Sequence, residues 1–381
     1  MSACPHQHPD RSGYLSNLAA TLTRLSEVTA DRTQLEEAVG LLRIGIAATP
    51  PGDVNRPGYL ANLAAATLHL GERSGETGLM AEAVETHRAA LDLLPEGHPE
   101  RATQLSSLGL ALQALYERTG QTNLLAEAVA TQRAAVAGAH AGGGVAEHLA
   151  RLGAALRARS GAAGNTGELD RAVEAGRAAV AHIPPGHPDL AGYLSNLGGA
   201  LHLMFQRNER PEILSEAVQV LRAAVLFSAP EDPDRPGQLS NLGLSLLALF
   251  DQTGQPALLR EAAQFHRKAV ATSPHDQPDR AGHLSNLGIT LQALFEHTSD
   301  DAVLAEATAA FRDAVACTAA GHPDRATYLV NLGNVLQVQH DRVAWPGQVP
   351  SPALLAEAAA CCTEAAGDTR VPALTRVYAH Q

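Results

Sequence analysis

One phrase returns along this chain at a nearly fixed interval. Tyr14-Leu15-Ser16-Asn17-Leu18 recurs as Tyr59-Leu60-Ala61-Asn62-Leu63 and as Tyr193-Leu194-Ser195-Asn196-Leu197, then again around Asn241, Asn286 and Asn331. Ser107 and Arg151 hold the asparagine's place in two divergent copies, so successive anchors step by 45, 45, 44, 45, 45, 45 and 45 residues. A second ladder, Glu37, Glu82, Glu127, Arg171, Glu216, Glu261, Glu306 and Glu357, keeps the same step until an insertion around Trp345-Pro346-Gly347-Gln348-Val349-Pro350 lengthens its last one to 51. A chain written this way is an array of supersecondary units, none able to bury its apolar face alone.

Each unit reads as two helices. The first carries leucines two before, one after, five after and eight after the anchor; in the seventh copy these are Leu284, Leu287, Leu291 and Leu294, one helical stripe. The second, in the fifth copy, shows Leu214, Ala217, Val218, Leu221, Ala224 and Val225 at helical spacing. Pro-Asp pairs at Pro9, Pro188, Pro233, Pro278 and Pro323 open the first helix and place an acid at its N-cap. Gly75, Gly120 and Gly254 suit the stop between helices, and Pro211, Pro256 and Pro352 suit the first turn of the second. Gly198, Gly243, Gly288 and Gly333 let helix backbones approach closely.

The motif Asn-Leu-Gly-x-x-Leu, followed by Glu-Ala-Val and Arg-Ala-Ala-Val, resembles the tetratricopeptide repeat (TPR) family, whose unit is about 34 residues. Here the unit is longer by roughly eleven, and the His-Pro-Asp-Arg opening is similar to TPR arrays attached to caspase-like (CHAT) or nucleotide-triphosphatase modules of filamentous bacteria and fungi. The resemblance covers residues 8–368 and implies an all-α, right-handed α-solenoid of helix hairpins. The expected repeats are about 10–54, 55–99, 100–144, 145–188, 189–233, 234–278, 279–323 and 324–368, with a C-terminal capping helix over 369–381, all in one domain spanning 1–381. With no catalytic module in the sequence, such a chain is expected to act alone or to meet an effector in trans.

Composition narrows the function. There are 28 basic and 40 acidic residues, a net charge of −12, which argues against nucleic acid as partner. Cys4, Cys317, Cys361 and Cys362 form no disulfide framework. No basic-then-apolar leader opens the chain and no apolar run approaches a membrane span, so a cytoplasmic protein without a membrane partner is expected. Among the 17 histidines, His8, His98, His187 and His322 recur in one inter-repeat loop, too far apart to share an ion; they read as loop caps, and neither a metal nor a cofactor is expected.

In TPR arrays the first helices line the concave face, so the resemblance puts Asn62, Asn196, Asn241, Asn286 and Asn331 in a groove. An amide offers both donor and acceptor, so this row suits the backbone of an extended peptide, though it also suits bonding between neighbouring helices. An arginine ladder, Arg43, Arg88, Arg133, Arg177, Arg222, Arg267 and Arg312, is read as bonding loops or acids between repeats. The fourth copy breaks the pattern with Glu147, His148, Arg151 and Arg157, and the fifth puts His202 where Arg157 stands. Arg151 and Arg157 suit a carboxylate or phosphate; repeat decay beside Gly142-Gly143-Gly144 explains the same break. The first reading is therefore a non-catalytic scaffold holding a peptide or protein segment. The alternative is a small-molecule binder or enzyme in a biosynthetic pathway, with His148, Tyr193, His202 and Glu147 as its acid–base group. An uncapped first repeat further predicts a homodimer through the array end or a partner that covers it.

Overall fold

The computed structural model describes residues 8, 10–29, 31–139, 144–163, 166–184, 186–275, 277, 279–322, 324–343 and 351–367. Among these residues the fold is all helix, with no strand, and the chain divides into two compact units, Met1–Pro185 and Gly186–Gln381. The first holds α1 (Arg11–Thr29), α2 (Arg32–Ala48), α3 (Arg56–Ser74), α4 (Thr77–Asp92), α5 (Arg101–Thr119), α6 (Thr122–Gly138), α7 (Val145–Ala163) and α8 (Thr166–His182). The second holds α9 (Leu190–Asn208), α10 (Pro211–Phe227), α11 (Arg235–Thr253), α12 (Pro256–Thr272), α13 (Arg280–Thr298), α14 (Asp301–Ala316), α15 (Arg325–Val343) and α16 (Pro352–Gly367). Each odd helix pairs with the even helix after it, and each hairpin packs on the next within its unit, which makes an α-solenoid. The insertion around Trp345 and the expected C-terminal helix over 369–381 lie outside the described residues.

The leucine stripe is the core. Leu284, Leu287, Leu291 and Leu294 on α13 are all buried, as are Leu214, Ala217, Val218, Leu221 and Ala224 on α10. In the first unit Leu35, Leu42, Met80, Leu112, Leu125, Leu156 and Leu169 are fully enclosed. Each buried leucine contributes about 1.5–3 kcal/mol, far more than the propensity of any one turn.

The glycines two places after the anchor behave differently from the expectation. They admit a large side chain of the partner helix instead of bringing two backbones together. A Cβ added at Gly288 would lie 2.6 Å from the Phe311 ring, and one at Gly243 would lie 2.5 Å from His266. Gly153 and Gly333 do meet backbone: Ala172 O lies 3.2 Å and Gly176 N 3.5 Å from a Cβ built at Gly153, and Ala358 O lies 3.6 Å from one built at Gly333.

Helix ends also differ in part. Gly75, Gly120 and Gly254 do close the first helices, at φ of 73°, 69° and 65°. Glu209 and Ser299 occupy the same turn at φ 51° and 53°, where a side chain is strained. Pro211, Pro256 and Pro352 do open the second helices. The Asp N-caps do not cap as expected. Asp189, Asp234 and Asp279 sit at the N-cap in αR conformation, and their carboxylates make no capping bond. That conformation swings the carboxylate away from the free N–H groups of the first turn. The loop is ordered instead by His98, His187 and His322, whose Nδ1 each accept the backbone N–H two residues on at 3.2 Å. Asp53 and Asp232 do the same in their loops, at 2.8 and 2.9 Å.

Arginines at the start of the first helices close the opposite ends. Arg56, Arg101, Arg235, Arg280 and Arg325 each donate from Nη1 to two carbonyls at the end of the preceding second helix; for Arg280 these are Val270 O at 2.7 Å and Ser273 O at 2.5 Å. The last carbonyls of a helix lack intrahelical partners and carry its negative end, so a guanidinium answers both needs.

Candidate functional site

Within each unit successive first helices approach one another closely (α1 with α3, α3 with α5, α5 with α7; α9 with α11, α11 with α13, α13 with α15), while no such approach joins one second helix to the next among the described residues. Elements crowded together lie on the inside of a curve, so the first helices form the inner face of each unit.

The amide row lies on that face and stays half-buried or exposed. Asn62 Nδ2 donates to Ser16 Oγ at 2.9 Å, Asn286 Nδ2 to Ser240 Oγ at 3.0 Å, Asn241 Nδ2 to Ser195 Oγ at 3.4 Å and Asn331 Nδ2 to Ser285 Oγ at 3.5 Å. Each asparagine therefore fastens its helix to the preceding first helix through one N–H. Its Oδ1 has no hydrogen-bond partner among the described residues. Asn196 follows a copy with Ala150 in place of the serine, and makes no such bond. One donor of each of these four amides is thus structural, and the carbonyl is open.

The fourth copy changes this pattern on α7. Arg151 Nη1 donates to Ser106 Oγ at 3.0 Å, doing the asparagine's work, and its other Nη atom pairs with Glu147 one turn back. Arg157 is different. Its Nε is enclosed without a hydrogen-bond partner, and it makes no ion pair among the described residues. Burial pulls its affinity for a proton down, against the partial support of Glu117. His148 is buried, its Nδ1 unpartnered, with its ring against Gly144 rather than open to the inner face. Burial lowers its pKa, Glu147 opposing and Arg151 adding to the fall.

On α9, His202 is half-buried and its pKa is lowered by burial. Both ring nitrogens are engaged: Nδ1 with Ser245 Oγ at 3.0 Å and Nε2 with Gln206 Nε2 at 3.1 Å. The Gln206 amide donates, so Nε2 is the acceptor and Nδ1 carries the proton toward Ser245. Ser245 is fully buried and closed to a substrate. Tyr193 shares α9 with His202, but nine residues of helix are two and a half turns. That separation puts the two side chains on opposite faces, about 13 Å apart along the axis. Glu147 and His148 belong to the first unit and Tyr193 and His202 to the second.

Sequence reasoning passed over a further row. Ten places after the anchor stand Glu27, Glu72, Glu117, Asp251, Glu296 and Asp341, an acidic line broken only by Gly161 and Gln206. The same 45-residue step reveals it once side chains other than leucine are aligned. Burial raises the pKa of Glu72; His69, 3.8 Å away, lowers it, Glu117 adds to the rise and Arg118 opposes it. Among the described residues no group of three or more His, Cys, Asp or Glu is placed to hold a metal ion. None of the described helices is long and apolar enough to cross a membrane.

The architecture has counterparts among solved structures. The Cut9–Hcn1 hetero-tetramer of the APC/C matches 97% of this chain and 57% of its own, with a TM-score of 0.54 at 14% identity. The fold is a TPR-like solenoid. BtubC (BKLC) from P. vanneervenii matches 65% of this chain and 88% of its own at 18% identity and a TM-score of 0.43. A Podosopora anserina kinesin light chain with nearly identical TPR-like repeats matches 58% of this chain and 100% of its own at 21% identity and 0.40. This chain spans 57% of the length of its Cut9–Hcn1 match. No protein-family model and no curated protein matches the sequence.

Proposed function

We propose that the protein is a non-catalytic scaffold whose first-helix face holds an extended peptide or protein segment. The observation that carries this reading is the row of half-used amides. Asn62, Asn241, Asn286 and Asn331 each spend one N–H on a neighbouring serine and keep Oδ1 available. Packed helices stand about 8–10 Å apart, and an extended chain advances about 3.3 Å per residue. One amide per helix thus meets about every third residue of an extended segment and reads its backbone N–H rather than its side chain. Leu110 and Ile289, exposed three places after their anchors, add apolar contact beside the row.

On the first unit, Arg157 gives the first-helix face its selectivity. The acidic line repels an anion along most of its length, and Gly161 removes the acid in the same copy that carries Arg157. An acidic side chain of the segment is accepted there, while Arg151, six residues earlier on α7, is held by Glu147.

The test separates structural bonding from ligand contact. Asn286→Ala with Asn331→Ala removes both the helix bond and the carbonyl acceptor, whereas Ser240→Ala with Ser285→Ala removes only the helix bond. On a random-sequence peptide array, the asparagine variant is expected to lose binding and the serine variant to keep it. Equal behaviour of the two variants, or no binding by the parent protein, refutes the reading.

A further inference from the structure

The second helices carry their own repeating bond. Arg43 pairs with Glu82 at 2.6 Å, Arg88 with Glu127 at 2.6 Å, and Arg222, Arg267 and Arg312 with Glu261, Glu306 and Glu357 at 2.7 Å each. Every one of these steps brings the guanidinium of one second helix to the carboxylate of the next. The step from α6 to α8 has the same arginine, Arg133, but Arg171 stands where the glutamate belongs. The one-residue shortening of this copy falls in the loop before α7, so the helices keep the register of the ladder.

Both arginines are exposed, and neither makes an ion pair or hydrogen bond among the described residues. On its own helix Arg133 has only Val129, Ala130, Val136 and Ala137 one turn away. Near Arg171, Glu168 is committed to Arg159, whose Nε lies 2.6 Å from its carboxylate. Asp170 and Glu174 lie beside Arg171 on α8, and among the described residues neither bonds to it. Two guanidiniums therefore share a place built, in five other steps, around a carboxylate.

We propose that Arg133 and Arg171 form a binding site for a phosphate monoester dianion on the second-helix face of the first unit. Each guanidinium presents a planar fork that matches two oxygens. A carboxylate placed between them neutralises one of the two charges. A doubly charged phosphate neutralises both and has oxygens enough for both forks. The phosphate occupies the position of the absent glutamate carboxylate and closes the ladder between α6 and α8. This site is independent of the amide row, which lies on the first helices.

The test uses the whole chain at constant ionic strength. Inorganic phosphate, a phosphoserine peptide and acetate are titrated by calorimetry and by thermal melting, with chloride as the balancing anion. Arg171→Glu repairs the ladder, so it is expected to fold, to melt higher than the parent without phosphate, and to lose phosphate binding at least tenfold. Arg133→Ala is expected to lose binding similarly, and acetate to bind at least tenfold more weakly than phosphate. Binding of the peptide but not of free phosphate assigns the group to a phosphorylated protein; binding of both assigns it to the phosphate alone. Retention of phosphate binding by Arg171→Glu, acetate binding as tight as phosphate, or no response to either phosphate probe overturns the proposal.

Discussion

His266 on α12 sets up a sharp test of the packing. It is wholly enclosed, both ring nitrogens lack partners, and its ring fills the space over Gly243. Burial, with His283 on the neighbouring helix α13 adding to it, pushes its pKa from 6.5 down to about 4. The folded state therefore holds the neutral ring, while the unfolded chain takes up a proton below pH 6.5. Stability from this group is fully present above that value and is lost as pH falls toward the folded pKa. A gap of that size corresponds to roughly 2–3 kcal/mol of stability lost by about pH 4.5. Leu221 occupies the same register over Gly198, so His266→Leu fits the cavity without new strain. The variant also removes two unsatisfied buried nitrogens, each worth about 1–3 kcal/mol when left unmade. Urea unfolding followed by circular dichroism, at neutral pH and at about pH 4.5, is the assay. The variant is expected to be more stable at neutral pH and to lose roughly 2–3 kcal/mol less on acidification than the parent. Equal acid loss in both proteins refutes the argument, because every carboxylate and every other histidine is common to them.

Three further outcomes follow from the same structure. Ser299→Gly and Glu209→Gly relieve a left-handed residue and should each raise stability by about 1 kcal/mol in urea midpoints; a fall in either would show that the turn is not strained. Arg280→Ala strips two carbonyls of a charged donor and should cost about 1–3 kcal/mol, whereas Arg222→Ala, removing an exposed ion pair, should cost under about 1 kcal/mol; the reverse order in thermal or urea unfolding would refute the capping role. Gly288→Ala drives a methyl into the Phe311 ring and should destabilise by about 1–3 kcal/mol, while Gly237→Ala meets open space and should stabilise by up to about 1 kcal/mol; similar midpoints for the two would contradict the packing at Gly288.

Periodicity made the helices legible because a stripe of leucines at spacings of three and four has one interpretation. It also exposed both ladders of the second helix, and their pairing follows once Arg and Glu are seen to recur together. What it concealed are contacts whose partners lie in different copies. Asn62 and Ser16 are 46 residues apart, and nothing local in either marks a bond. The role of Gly243 depends on His266, a position filled by leucine, histidine, glutamine, glycine, phenylalanine or cysteine in the several copies. Such a position looks unpatterned until the facing glycine is placed opposite it. The aspartate N-cap was misread for another reason: residue type at the cap favours a side-chain bond, but the αR backbone imposed by the preceding loop withholds the geometry.

A feature repeated in most copies answers a need common to them, which here is stacking. The asparagine bonds, the Arg–Glu pairs and the arginine caps are all of this kind. Departures confined to one copy escape that explanation, and the fourth copy has several at once. Arg157 is added, Arg171 replaces a glutamate and Gly161 replaces an acid, while the new acids Glu147 and Glu168 are bound by the new arginines Arg151 and Arg159. These three changes move local charge in the positive direction, and Val145, in the place of the helix-opening arginine of other copies, moves it the other way, in a chain whose net charge is −12. Decay of a repeat erodes packing residues. Leu156, Leu169, Ala172 and Val173 remain buried in this copy, so its core is intact while its charges differ. That combination, an unspoiled interior under an altered surface, is what binding an anion asks of a single repeat in an otherwise acidic array.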